Sequence, residues 1–400
     1  MNTGDGPRMV KSVHDARILR LQKTMRAQNL DAIIATKPQT FFYLSDFNPI
    51  IFSHPTMVVL PADGQPTLIV WSIRFDHAHA ESMIGDIRLF GRWGDRPYLS
   101  EDPNDALVQV IFERGLHRGL LGIEEDHVSA KLLRLWSEIM PEATFLDASS
   151  LINQARLVKD KEEITRLRRA TKIADAGMLA ATEAIVERRT EAEIAAQAEI
   201  AMRTLWCREY PDHETAGFAG SEGGIWSSLW CWVHSGPRLA LESDTPKSRQ
   251  VREGDLVLPQ IWATCDGYTA ENGRTFAIGS MSEDVRRAFD VVIAAREAAF
   301  SAIRPGVRCS NVYEAAAMVM RNAGYERILP GRIGHSIGLG PHEPLSLAAR
   351  EDMLLEEGIV LAVEPGLSFP GATVRHSDTI VVTRGGNEIL TTTPRGVLIV

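Results

Sequence analysis

Apolar positions along the chain change their period several times, and each change marks an element. Between Asp15 and Leu30, Ile18, Leu21 and Met25 recur at helical spacing on one side of an otherwise polar stretch. An unbroken apolar run from Asp31 to Ala35 follows and reads as a buried strand. Met57 to Leu60, Thr67 to Trp71 and Leu120 to Glu124 read the same way, with a helical pattern from Asn104 to Gly115 between the last two. Helices and strands alternating over about 150 residues predict a small α/β layer domain.

The period then lengthens. Asp160, with Glu163 three residues on, reads as the cap of a helix running through Ile164, Leu167, Ile173 and Met178 towards Val186. Thr190 and Glu193 form a second capping pair, Ser282 opens a third helix ending near Pro305-Gly306, and Ser310 opens a fourth that stops at Gly324. Strands are predicted at Asp255–Trp262, Gly267–Ile278, Ile359–Glu364 and Val374–Thr383. The second half therefore reads as two helix pairs with antiparallel strands, and the repeated order hints at an internal duplication. The fold class is α+β, with an N-terminal domain over residues 1–155 and a C-terminal domain over residues 156–400.

Composition narrows the function. Four hundred residues exceed one ordinary core, and 44% hydrophobic with 24% charged residues is the balance of a globular protein. The net charge of -9 and the lack of a basic run argue against nucleic acid or an anionic membrane as partner. The longest apolar runs are strand-sized, too short to span a bilayer, and Met1 to Val10 lacks the apolar stretch of a secretory signal. Cys207, Cys231, Cys265 and Cys309 form no CxxC pair, as expected of free thiols in the cytoplasm.

Five segments carry polar groups that a pure core does not need. "PQIWATCDGYTAENGRTF", from Pro259 to Phe276, reads as a hairpin turning near Asp266-Gly267, with Gln260 and Glu271 nearly facing across it. "GRIGHSIGLGPHEP", from Gly331 to Pro344, is glycine-dense and offers His335, His342 and Glu343. "AVEPG" ends a strand on Glu364, "VRHSDT" runs from Val374 to Thr379, and "WCWVHSGPR" runs from Trp230 to Arg238.

Taken together, "GHSIGLGPHEP", "VEPG", "GYTAENGRTF" and "VRHSDTIVVT" resemble the pita-bread family of peptidase M24, which includes methionine aminopeptidase, aminopeptidase P, prolidase and creatinase. The resemblance covers nearly the whole chain, and "LVKDKEEITRLRRA" at the domain junction shares it. It implies a creatinase-like N-terminal domain before a pita-bread catalytic domain. In the family's metallopeptidases, two Asp, one His and two Glu hold two divalent ions. Those positions fall here on Gln260, Glu271, His335, Glu364 and Ser377, so two of four carboxylates become neutral groups.

Bridging carboxylates must offset about four positive charges in a two-metal site, and two acids with one imidazole fall short. The expectation is therefore a site without a cofactor, with one divalent metal ion on Glu271, His335 and Glu364 as the alternative. Creatinase, the metal-free hydrolase of the family, sets the main reading: a cytoplasmic, homodimeric, creatinase-like hydrolase of a carbon–nitrogen bond in a small guanidino, amidine or amide compound. The family's proton-shuttling His falls on Ser243, next to Glu242, which counts against creatine itself. A metal-dependent Xaa-Pro aminopeptidase or dipeptidase, an ectoine hydrolase or dimethylsulfoniopropionate lyase, and a catalytically dead binding module are the alternatives.

On the main reading Glu364 and His335 form an acid–base pair, and Glu271 joins them as a catalytic group or an anchor for a cationic substrate. Gln260, Arg238, His342, Glu343, Trp232 and Arg274 are the candidate substrate contacts, Arg238 because its fork matches a carboxylate. Trp226, Trp230 and Trp232 offer rings to a cation, with core packing as the alternative. His376 and His234 are candidate replacement proton carriers, although strand alternation points His376 away from Ser377. Nothing in the sequence activates Cys231 or Cys265 as a nucleophile.

Overall fold

The structure is a computed structural model and describes residues 11–218, 228–241, 243–369, 372–396 and 398–400. Trp226 and Glu242 lie outside the described residues. The contact pattern divides the chain between Arg156 and Leu157. The first unit contains α1 (Lys11–Ala27), β1 (Ala32–Ala35), α2 (Pro38–Ser45), β2 (Met57–Pro61), β3 (Thr67–Trp71), α3 (Phe75–Glu81), β4 (Asp86–Phe90), α4 (Pro103–Glu113), β5 (Leu120–Ile123), α5 (Ala130–Ile139), β6 (Thr144–Asp147) and α6 (Ser149–Leu157). Its six strands form one sheet in the order β4-β3-β2-β1-β5-β6. β1 is buried along its whole length, which is why it reads as an unbroken apolar run.

The second unit opens with α7 (Lys161–Val186) and α8 (Glu191–Glu209). Both begin on complete capping boxes, Asp160 with Glu163 and Thr190 with Glu193, where side chain and backbone satisfy each other's free groups. The two helices approach closely at Gly177, where a Cβ would stand 2.8 Å from Met202 Cγ. Next come β7 (Leu229–Ser235), β8 (Leu256–Cys265), β9 (Tyr268–Arg274), β10 (Phe276–Ala277), α9 (Glu283–Ala302) and α10 (Cys309–Asn322). The chain ends in β11 (Arg332–Ser336), β12 (Glu343–Ala348), β13 (Val360–Val363), β14 (Gly366–Phe369), β15 (Ala372–Thr383), β16 (Gly386–Ile389) and β17 (Leu398–Ile399).

These strands join one sheet with the main order β12-β11-β13-β15-β9-β8-β10-β17; β7 pairs with β8, and β14 and β16 pair with β15. Alternation divides each strand between two faces. Ile261, Ala263 and Ala270 pack with Ile173, Met178 and Met202 of α7 and α8. Leu361, Val363, Ile380 and Val382 pack with Phe289, Val292 and Ala316 of α9 and α10. The helices thus cover one face, and the side chains of opposite parity are left to the other.

Several expectations shift. The first helix is Lys11–Ala27 rather than Asp15–Leu30. The fourth pita-bread helix starts at Cys309 behind Arg308, without a side-chain cap, rather than behind Ser310. The strand expected over Gly267–Ile278 is interrupted at Thr275. The segments of β7, β11 and β12 also form strands, which polar residues, and in β11 a glycine, hide from the sequence pattern.

Candidate metal centre

Register assembles the site on the open face. In β8 and β9, Gln260 pairs with Gly273 and Trp262 with Glu271, so Gln260 and Glu271 are diagonal neighbours rather than directly opposed. Ser377 of β15 lies opposite Gly273, and Ala362 of β13 lies between Thr379 of β15 and His335 of β11. β11 changes register between Arg332 and His335, so both of these residues reach Glu364 although three positions separate them.

Glu271, His335 and Glu364 converge here, with ligand atoms all within 4.8 Å of one another. His335 Nε2 lies 3.6 Å from Glu271 Oε2 and 3.5 Å from Glu364 Oε1. That nitrogen is fully buried and makes no hydrogen bond. A buried polar atom without a partner is costly. Here it is aimed between two carboxylates, at the point where a cation would complete all three groups. Nδ1 of the same ring contacts the Ser336 carbonyl at 3.1 Å, which favours the tautomer that leaves Nε2 with a free lone pair.

Glu271 is held from several sides. Ser377 Oγ donates to Oε1 at 2.6 Å and Trp262 Nε1 donates to Oε2 at 3.0 Å. Thr379 Oγ accepts from the Glu271 amide and donates to its carbonyl. Burial acts to raise the Glu271 pKa, but the contacts to His335 and Ser377 outweigh it and hold the carboxyl below its usual range. Glu364 is pushed the other way, by burial and by the charge of Glu271, against Arg375, His335 and Arg332. Burial opposes the charged form of His335, yet the two carboxylates outweigh it and raise its pKa. His342 lies beside His335 with ring centroids 4.2 Å apart, and burial followed by the His335 charge lowers its pKa.

Not every candidate joins this centre. Trp232 belongs to a cluster with Trp230 and Trp262, and Trp262 stacks on Trp230 at 4.2 Å. Gln260 lies on the site face, 4% exposed. Arg238 is taken up by Glu191 at 2.8 Å, Asp244 at 3.1 Å and the Thr245 carbonyl, so its fork is already filled. Glu343 forms a buried ion pair with Lys159 at 2.7 Å. Arg274 has the opposite parity to Glu271 and binds Asp378 on the helix face. His376 is buried against Arg296 on that face, and His234 bonds the Asp244 carbonyl. Ser243 is exposed, and Cys231 and Cys265 are buried with their thiols pushed upward by burial. Trp262, Arg332 and Arg375 are invisible as site residues in sequence, because register and a bulge place them.

Family models match the descriptions of the creatinase/prolidase N-terminal domain over residues 17–158 and of metallopeptidase family M24 over residues 165–384. The chain belongs to metallopeptidase family M24, with its pita-bread domain behind a creatinase-type N-terminal domain. Among curated relatives, the putative dipeptidase YkvY of Bacillus subtilis is 30% identical over 300 residues, 75% of this chain and 78% of that protein. The Xaa-Pro dipeptidase of Pyrococcus furiosus is 27% identical over 96% of this chain and 99% of its own length. The solved Xaa-Pro dipeptidase of Bacillus anthracis superposes with a TM-score of 0.82 at 25% identity, covering 97% of this chain and all of that one (100%).

These findings overturn the expectation of a metal-free, creatinase-like amidinohydrolase acting on a non-peptide carbon–nitrogen bond. The family is one of metallopeptidases, the relatives carry dipeptidase names, and three donors converge on one buried point. Counting carboxylates against a two-metal site misleads here, because it passes over the three ligand groups that still converge on one point. Among the described residues no helix is long and apolar enough to cross a membrane.

Proposed function

We propose that this chain hydrolyses the amide bond of a short, peptide-like substrate with one divalent cation held by Glu271, His335 and Glu364. The observation that carries this reading is His335 Nε2, buried, without a hydrogen bond, and facing Glu271 Oε2 at 3.6 Å and Glu364 Oε1 at 3.5 Å. Two carboxylates match the charge of one dication, and an imidazole completes three protein ligands. A second dication is disfavoured because Gln260 and Ser377 are neutral. The dipeptidase names of the relatives support a peptide bond as the target.

Bound there, the cation supplies Lewis-acid polarisation of the carbonyl and a more acidic water. The protein does the rest. Glu364, which lines the cleft with Oε2 3.9 Å from Arg375, accepts a proton from the attacking water and returns it to the departing nitrogen. A carbon–oxygen bond forms, the carbon–nitrogen bond breaks, and a carboxylic acid and an amine leave. His342, beside His335, is placed to donate a hydrogen bond to the carbonyl oxygen as it gains charge. Ser377 and Trp262 fix the Glu271 carboxylate. In the same reading the enzyme is a cytoplasmic homodimer.

Elemental analysis of protein purified without chelator, together with a dipeptide assay, tests this. One equivalent of Mn, Zn, Co or Fe and hydrolysis that stops on chelation are expected. Protein that binds no cation after incubation with any of the four sinks the reading.

A further inference from the structure

His342 rides on a turn that is anchored at both ends. The chain bends from Gly338 to His342 between β11 and β12, and His342 is exposed. Gly338 and Gly340 leave such a turn many backbone conformations, so an exposed ring on it keeps its place only through its neighbours. The entry is fixed by the backbone and by the buried Leu339. The Ile337 amide donates to the Val360 carbonyl at 3.1 Å, and the Thr269 amide donates to the Gly338 carbonyl at 2.7 Å. The exit is Glu343, the residue after His342.

Glu343 is fixed by a charge. Its side chain is 5% exposed, and Oε2 accepts from Nζ of Lys159, a side chain 1% exposed, at 2.7 Å. Nζ also donates to the Leu157 carbonyl at 3.1 Å, and the Lys159 amide donates to the Gly358 carbonyl at 3.0 Å. The lysine is therefore itself tied down, next to the bridge between Val158 and Ile359. Gly338 closes over the pair: an added Cβ would stand 2.8 Å from Lys159 Cε and 2.9 Å from Glu343 Oε1. One ion pair thus touches both ends of the turn. Apolar side chains of similar size can fill such a space without loss of stability. What the charged pair adds is one fixed geometry, and that geometry falls on the neighbour of His342, whose ring centroid lies 4.2 Å from that of His335.

Resting on the hydrolase reading above, we propose that Lys159 is a positioning residue: its buried ion pair with Glu343 holds the exit of the turn, so that the His342 ring stays beside His335 and reaches the substrate carbonyl oxygen. Lys159 acts only through Glu343 and His342. Its removal therefore weakens the hydrogen bond that grows in the transition state and leaves the Glu271, His335 and Glu364 ligand set intact.

The full chain, loaded with Mn²⁺, is assayed on alanyl-proline. His342→Ala should lower kcat by about 100-fold. Lys159→Met alone strands the Glu343 charge, so the decisive variant is Lys159→Met with Glu343→Met, which exchanges the pair for apolar atoms and should keep the parent's melting temperature. Its kcat should still fall by about tenfold or more, with KM changed by less than about threefold and the Mn²⁺ count unchanged. Adding His342→Ala to it should cost less than the product of the separate losses, since groups that act through one another do not add. Arg114→Met, which breaks the pair with Asp86 at 2.6 Å in the N-terminal unit, controls for lost stability and should leave kcat unchanged. A second readout needs neither cation nor turnover. In metal-free protein labelled with ¹³C-histidine, the His342 ring signal, assigned by its loss in His342→Ala, should move towards that of a free histidine in the double Met variant and stay in place in Arg114→Met. Parent-like kcat in the double Met variant, full additivity with His342→Ala, or an unmoved ring signal overturns the positioning role. If the parent cleaves no dipeptide, the hydrolase reading falls and the ring signal alone decides whether the pair places His342.

Discussion

The two faces of strands β9 and β15 bury polar groups side by side and resolve them in opposite ways. On the helix face, Asp378 lies between Arg274 at 2.5 Å and Arg296 at 3.4 Å and accepts from Thr391, while Asp175 accepts from Asn272 and Thr392. Two guanidinium groups answer the charge of Asp378, whereas Asp175 is held by neutral donors. On the open face, Glu271 and Glu364 face one imidazole whose Nε2 has no hydrogen bond. Similar residues one position apart thus pair with buried guanidinium groups on one side and converge on one imidazole on the other, although Asp378 Oδ2 and His376 Nε2 on the helix face also lack hydrogen bonds. Burial, charge and a missing hydrogen bond alone therefore do not mark a site; the convergence of Glu271, His335 and Glu364 on one point does.

The comparison can be broken most forcefully at the open face. His335→Ala and Glu364→Gln should each lower activity on the order of 10³-fold or more and abolish stoichiometric cation binding, with the fold kept. Activity assays with elemental analysis check this; an unchanged cation count would erase the distinction between the faces. On the helix face, Arg274→Met removes the nearer of the two guanidinium partners of buried Asp378 and should cost about 3 kcal/mol of stability in denaturant titration. Its folded fraction should still take up one cation.

Restoring acids sharpens the contrast further. The double variant Gln260→Asp with Ser377→Glu adds two carboxylates to the open face and should raise the cation count from one to two. Without cation its like charges should lower the melting temperature, and added Mn²⁺ should recover more of it than in the parent. A count that stays at one would mean that geometry, rather than charge, limits the centre.

The smallest expected effect concerns pH and the helix face. Burial, then Arg274 and Arg296, hold the His376 pKa well below its ordinary value, and Phe289, Asp378 and the Thr275 backbone also surround it. A His with a depressed pKa contributes its full stability above the unfolded value near 6.5. As pH falls below that value the unfolded chain takes up the proton, and stability should drop by up to about 1.4 kcal/mol per pH unit from this one group. Denaturant midpoints between pH 7 and pH 5 measure the slope, which His376→Phe should flatten. An unaltered slope would show that His376 is not the titrating group.

Much of the fold is legible in the sequence. The Asp160–Glu163 and Thr190–Glu193 boxes form as read, because capping is a local exchange of hydrogen bonds. His335, Glu364 and Glu271 stand out because each is a polar group at a strand or loop position that a core would fill with apolar atoms. Arg238 looks equally promising and is instead filled by Glu191, 47 residues away. Glu343 beside His342 looks like a site group and is held by Lys159, 184 residues away. No local pattern reports partners at such separations.

What the sequence by itself determined is therefore the order of elements, the parity of each strand, and the identity of the groups that burial would leave in need of a partner. Strand parity alone separates Glu271 from Arg274 and Ser377 from His376, because successive side chains alternate across a sheet. Only the tertiary structure decided which strand lies next to which, and with what register. That choice made Gln260 and Glu271 diagonal rather than facing, used a bulge in β11 to turn Arg332 towards Glu364, and brought Trp262 onto the Glu271 carboxylate. It also left His335 Nε2 without a hydrogen-bond partner, because pairing between distant strands is set by the packing of the whole sheet rather than by any neighbour in the chain.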